Sequence, residues 1–175
     1  MKRCVIDTNV MVTANKAVRC FDDDIDNYPM LIINCIELLH RIKQKGIYVV
    51  LDEDEEIFIE YKNYLNFSGQ PGVGDSFFKW LNDRRWGFPE SERIKLHKTE
   101  EGYKEFPMDM ELVNVDPSDK KFFAASNAHP CKPDIYEAVD AKWWNWRDAA
   151  LKSGIHIRFM DEQYMRDHNK TNKEV

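Results

Sequence analysis

The chain has 175 residues, with 25 Lys and Arg against 31 Asp and Glu, a formal net charge of −6, and 43% hydrophobic and 13% aromatic residues. That length suits one domain of roughly 100–200 residues with a real core, which excludes global disorder. The acidic balance excludes a protein that coats nucleic acid nonspecifically, since such proteins neutralise phosphates with many Lys and Arg; it leaves room for an enzyme that meets phosphates through bound cations.

No apolar run approaches the ~18–20 residues of a membrane span, and Asp7 interrupts any secretory apolar segment near the start. Cys4, Cys20, Cys35 and Cys131 show no C-x-x-C spacing. Reduced thiols, a cytoplasmic location and no membrane partner are therefore expected.

In chain order, residues 3–6 read as a short buried strand ending at Asp7. A helix is predicted from Pro29 to about Lys45, because Leu31, Cys35, Leu38, Leu39 and Ile42 form one apolar stripe and Gly46 follows as a stop signal. Glu37 falls on its solvent side. Ile47 to Leu51 reads as an unbroken apolar strand, and Asp52 opens an acid-rich helix start, DEDEE, followed by IFIEYKNYL. The glycine-rich stretch 66–76 reads as a loop, 77–86 as a short helix and Ile94 to His97 as a strand. Asp116 is placed as the N-cap of the next helix, with Pro117 at its first position, running to about Ala128. Ile135 to Val139 is a strand ending at Asp140; a Trp-rich helix runs to Lys152, and Ile155 to Phe159 is the last strand. The division is one domain over 1–166, with 68–112 as an aromatic-rich insertion or lid, and a polar, frayed tail over 167–175. Short apolar strands alternating with helices imply an α/β fold of three layers, with a mainly parallel sheet between helices, and ligands then bind beyond the carboxyl ends of the strands.

Four strands are followed by an acid: Asp7, Asp52, Asp140 and Asp161. N-capping explains any one of them. Two further acids are harder to place in solvent. Glu60 lies about 60° from the centre of the Ile57, Tyr61 and Tyr64 stripe at ~100° per residue, whereas Ile59 and Lys62 lie on the far side. Asp119 shares a face with Phe122, Phe123 and Ser126, although an acid at that position can also complete a capping box. An oxygen-only set of Asp7, Glu60, Asp119 and Asp140, without His or Cys, suits Mg²⁺ or Mn²⁺. The acid runs at 22–24 and 52–56 read as solvated charge.

In these residues the chain resembles the PIN-domain nucleases. The family opens on a strand ending in Asp, a small polar residue and Asn, here VIDTNVMV with Asp7, Thr8 and Asn9. Its second acid lies in the helix after the second strand, here Glu60 in EEIFIEYKNYL. The third is Asp119 in SDKKFFAAS, and the fourth is Asp140 in IYEAVDAKWW. Asp52 stands where the family often has Ser or Thr. The resemblance implies a metal-dependent ribonuclease in which Asp7, Glu60, Asp119 and Asp140 hold one or two Mg²⁺ or Mn²⁺ ions, a pair being about 3.5–4 Å apart. In-line hydrolysis would leave a 5′-phosphate and a 3′-hydroxyl, with Thr8 or Asn9 on a metal water or the phosphate. Many relatives are toxins paired with an inhibitor, so an antitoxin-like partner and a homodimer are compatible with the likeness.

A single RNA strand would need cations and aromatic platforms. Arg84 and Arg85 among the Trp residues of WLNDRRWGF, and Lys120 and Lys121 beside Asp119, are the candidates; core packing is the competing explanation for the Trp residues. Two other classes compete with the nuclease: a PIN-like scaffold or RNA clamp without catalysis, and a Mg-dependent aspartyl phosphatase. The phosphatase needs a D-x-D pair, and Asn9 occupies the second position.

Overall fold

The protein is described here by a computed structural model covering residues 2–18 and 27–171. Cys20 and the acid run at 22–24 lie outside the described residues. The elements are β1 (Arg3–Ile6), α1 (Thr8–Asn15), α2 (Pro29–Lys45), β2 (Tyr48–Val49), β3 (Leu51–Asp52), α3 (Glu56–Tyr64), α4 (Val73–Arg84), β4 (Arg93–Ile94), β5 (Lys98–Thr99) and β6 (Gly102–Tyr103). They continue with α5 (Lys120–Ala128), β7 (Ile135–Glu137), α6 (Trp143–Lys152), β8 (Ile157–Phe159) and α7 (Glu162–Thr171).

The fold is α/β. Its four-stranded sheet runs in the order β2-β1-β7-β8, and every pairing in it is parallel. Helices α1, α2 and α4 pack on one another, α5 packs on β1 and β7, and α6 packs on β8 and α7, an arrangement compatible with three layers. No helix among the described residues is long and apolar enough to cross a membrane.

Helix α2 forms as its stripe predicts, with Leu31, Cys35, Leu38, Leu39 and Ile42 buried and Glu37 exposed. Gly46 ends it at φ 59°, a left-handed conformation that glycine adopts without a Cβ clash.

Several boundaries move, each for a physical reason. The run Ile47 to Leu51 is not one strand: Tyr48 and Val49 pair with β1, then Leu51 and Asp52 leave to pair with β4. The expected strand at Ile94 to His97 is reduced to that short pairing of Arg93 and Ile94. Helix α4 starts at Val73, inside the stretch read as a loop, because the buried Asp75 carboxylate accepts from the Gly72 and Asn66 N–H groups at 3.1 and 2.8 Å. Phe77, Phe78 and Leu81 of α4 belong to the core. The tail read from 167 onward is helical to Thr171, since α7 crosses that boundary. Helix α1 went unread, and its eight residues bury Val10, Met11 and Ala14.

The bland reading of strand-end acids, N-capping, holds for three of them: Asp7, which caps α1, Asp52 and Asp161. Asp52 accepts from the N–H groups of Glu56 (2.8 Å) and Ile57 (2.9 Å), and Asp161 from those of Gln163 (2.9 Å) and Tyr164 (3.0 Å). Asp52 is buried, so nothing else replaces its carboxylate at the start of α3. Asp52→Ala is expected to destabilise the protein by about 1–2 kcal/mol in urea denaturation, and Asp52→Asn by less, because the amide oxygen still accepts. Equal losses for the two variants would remove the capping explanation.

Candidate metal centre at the strand ends

The site is built where β1 and β7 end. The Asp7 N–H donates to the Tyr136 carbonyl at 2.9 Å, which continues the parallel ladder by one residue and sets Asp7 beside Glu137. The Asp7 carboxylate also accepts from the Asn9 N–H at 2.8 Å, so it caps α1 as well as facing the site. Helix α3 is fastened to the same strand end: the Tyr61 hydroxyl donates to the Ile6 carbonyl at 2.5 Å, and the Thr8 hydroxyl to Glu60 at 2.5 Å. Asp7, Glu60 and Asp119 thereby line one cleft of about 570 Å³, together with Thr8, Asn9, Glu56, Lys98 and Tyr64.

Asp140 joins from the side of Asp119. Asp116, Asp119 and Asp140 each offer a carboxylate oxygen, and these atoms lie within 4.8 Å of one another. Asp116 does not cap α5 as expected. The helix begins at Lys120, residues 117–119 form a turn, and the Asp116 side chain instead pairs with Lys142 at 2.8 Å. Asp119 makes no capping bond either; its Oδ2 accepts from the Trp143 indole N–H at 3.0 Å. That bond explains the Trp-rich helix in part: Trp143 is core and also holds the Asp119 carboxylate, while Trp146 is buried against it.

Glu137 is the site residue that the sequence reading missed. The strand Ile135 to Val139 ends two residues early, because the Glu137 Oε1 accepts both the Val139 N–H (2.9 Å) and the Asp140 N–H (2.8 Å). Its Oε2 is buried with no donor among the described residues and faces the Asp7 carboxyl. Two carboxyls can bond there only while one keeps a proton. The available signal was alternation: in IYE, Glu137 shares a face with the buried Ile135 and not with Tyr136.

Burial and mutual repulsion shift this group of acids together. Burial pushes Asp7 up to about 6, with the charges of Glu60 and Asp140 adding to it and the Glu137 and Asn9 hydrogen bonds opposing it. Burial pushes Asp119 up to about 7, with the charges of Asp7 and Asp140 next and the Trp143 bond opposing. Glu137 lies well above the usual carboxylate range through burial and then the Asp7 charge. Such a surplus of carboxylate oxygen is what a hard divalent cation relieves.

Asp119 and Asp140 are the acids left open to one cation, with Asp7 alongside; the third carboxylate of the group, Asp116, already holds Lys142. Glu60 is different: the buried Lys121 ammonium ion-pairs with it and also donates to the Ser118 carbonyl. Glu60 is thus already neutralised by a positive charge of the chain itself.

The other basic residues read as strand-binding lie elsewhere. Lys120 donates to the Glu101 carbonyl at 2.6 Å, over the Phe106 ring. Arg85 pairs with Glu55 and stacks on Phe58, and Arg84 is exposed without lining the cleft. Lys98 is the cation at the cleft wall, held by Glu56 at 2.9 Å. Tyr64, read as part of the buried stripe, is 67% exposed on that wall.

No protein-family model, curated protein or solved structure matches the chain.

The raised acids set the sign of a pH effect. An acid whose folded pKa exceeds its unfolded value, about 4, adds stability below that value and loses it as pH rises through the folded pKa. In EDTA, thermal stability is therefore expected to fall between about pH 4 and pH 7, as Asp7 and Asp119 ionise. Glu137→Gln keeps the acceptor for Val139 and Asp140 and turns a donor toward Asp7. It should flatten that fall and stabilise the metal-free protein at pH 8 by about 1–3 kcal/mol. A less stable variant at pH 8 would overturn the shared-proton account.

Proposed function

We propose that the protein is a metal-dependent nuclease that hydrolyses phosphodiester bonds of single-stranded RNA, in the manner the PIN-domain likeness implies. The observation that carries the reading is the convergence of Asp116, Asp119 and Asp140 within 4.8 Å, beside a cleft that Asp7 and Glu60 also line. Asp119, Asp140 and Asp7 would hold one Mg²⁺ or Mn²⁺ ion, with Asp116 completing the set when Lys142 swings away. When bound, the ion supplies Lewis-acid polarisation of a phosphate oxygen and neutralises the acids around it.

The chain's own residues do the rest. Glu137 fixes the Asp140 backbone and crowds Asp7, so two ligands are preorganised by one buried side chain. The Trp143 indole fixes Asp119. Lys121 keeps Glu60 neutralised at the cleft, which spares an incoming phosphate one negative charge. Asn9 is half-buried on the cleft wall, where its side chain can meet a phosphate oxygen, whereas the Thr8 hydroxyl is spent on Glu60. The exposed ring of Tyr64 offers a stacking face for a base, which favours an unpaired strand over a duplex.

A second reading is an RNA clamp without catalysis. It is favoured by the lysines on Glu60 and Asp116, which could satisfy those acids permanently.

Cleavage of a labelled single-stranded RNA in Mn²⁺ is expected from the wild type, with loss in EDTA and a drop on the order of a hundredfold or more in Asp119→Asn. Equal cleavage in all three arms would refute the nuclease; RNA binding with no Mn²⁺ uptake would select the clamp. Mn²⁺ titration should give one ion per chain. In Lys121→Met, with Glu60 released, the stoichiometry should rise toward two, and an unchanged value would mean that Lys121 does not take the place of a second cation.

A further inference from the structure

At the N-terminal ends of β1 and β7, away from Asp7 and Asp140, a second cleft of about 830 Å³ opens between the C-terminal half of α2 and strands β1, β7 and β8. Its charge is the reverse of the molecule's average. Lys2, Arg3, Arg41, Lys45, Lys132 and Arg158 line it against a single acid, Asp134, in a chain whose net charge is −6.

Three of these cations are already engaged. Arg3 pairs with Glu92 at 2.9 Å, Arg158 with Asp134 at 2.8 Å, and Lys132 donates to the Ser153 carbonyl at 2.5 Å. Lys2, Arg41 and Lys45 are exposed, and their side chains make no hydrogen bond or ion pair among the described residues. Arg41 and Lys45 lie four residues apart on one side of α2, so both present their charge to the cleft, whereas Glu37, one turn before Arg41, does not line it. Tyr136 is half-buried in the cleft. Its hydroxyl has no hydrogen-bond partner among the described residues, and burial first, then the Cys4 charge, raises its pKa, so it stays a donor.

We propose that this cleft binds a ligand carrying two or more phosphates, with Lys2, Arg41 and Lys45 as its charged contacts and the Tyr136 hydroxyl as a donor. Its size falls in the range of small-ligand sites, roughly 300–1,000 Å³. Lys2 and Lys45 supply mobile point charges and Arg41 a planar donor fork, both of which bind phosphate oxygens. The phosphates belong either to a free nucleotide or to the backbone of a strand. The site is independent of the nuclease reading, because it shares no residue with the acid cleft.

The test is ATP binding and short single-stranded RNA binding by titration calorimetry, in EDTA so that no cation draws anions to the acid cleft. Arg41→Glu/Lys45→Glu is compared with Lys43→Glu/Lys79→Glu, which makes the same charge change at exposed lysines outside the cleft. At least one probe should bind the wild type, about tenfold or more weaker in the cleft variant and nearly unchanged in the control. Tyr136→Phe should weaken it severalfold. If the double variant misfolds, Lys2→Glu, outside any helix or strand, serves in its place. Binding of ATP alone identifies a free nucleotide, and binding of RNA alone a strand. Failure of both probes to bind, or equal losses in cleft variant and control, overturns the proposal.

Discussion

The parallel register of β1 with β7 is the constraint on which the site depends. Val5 faces Ile135 and Ile6 faces Tyr136, so the next residue of each strand, Asp7 and Glu137, must also be neighbours. Both are buried at the end of a sheet where two helices start, and no lysine or arginine among the described residues pairs with either one. A buried pair of like charges survives only by sharing a proton or by drawing in a cation. Everything nearby is arranged around that unresolved charge: Asp140 is hung from Glu137 by its backbone, and Asp119 is turned inward by Trp143.

The fold compensates its acids selectively. Glu60 receives Lys121, Asp116 receives Lys142 and Glu56 receives Lys98, each within ion-pair distance. Asp7, Asp119, Asp140 and Glu137 receive none among the described residues. The contrast separates acids that the fold neutralises by itself from acids that it leaves for something else to neutralise. The same selectivity runs the other way at the opposite end of the sheet, where cations outnumber acids and three of them stand unpaired. A protein of net charge −6 thus carries separated surfaces of opposite sign, and its overall charge predicts the behaviour of neither.

Much of the architecture could be read from local chemistry. Helix α2 is set by its apolar stripe, its proline start and its glycine end, all of which are short-range signals. The candidate acids Asp7, Glu60, Asp119 and Asp140 stand out in the sequence because each follows a strand or flanks an apolar face, positions where a carboxylate has to be explained. Errors came where a side chain captured backbone groups at a distance. Asp75 pulled α4 four residues earlier, Glu137 cut β7 short, and Lys142 took Asp116 away from its expected cap. The small second sheet took Leu51 from the strand it seemed to continue.

The sequence alone determined the α/β alternation, the absence of a long apolar helix, and which carboxylates were worth following, because hydrophobic period and capping are properties of neighbouring residues. Only the tertiary structure decided which acids meet. Strand register paired Asp7 with Glu137, helix packing delivered Lys121 to Glu60 and Trp143 to Asp119, and the sheet's two ends gathered opposite charges. Those outcomes depend on contacts between residues far apart in the chain, whose partners no local pattern encodes. The net charge of −6, which at first argued against a phosphate-bearing partner, proved to be a sum over an acid cleft and a basic one, and only their separation in space shows that.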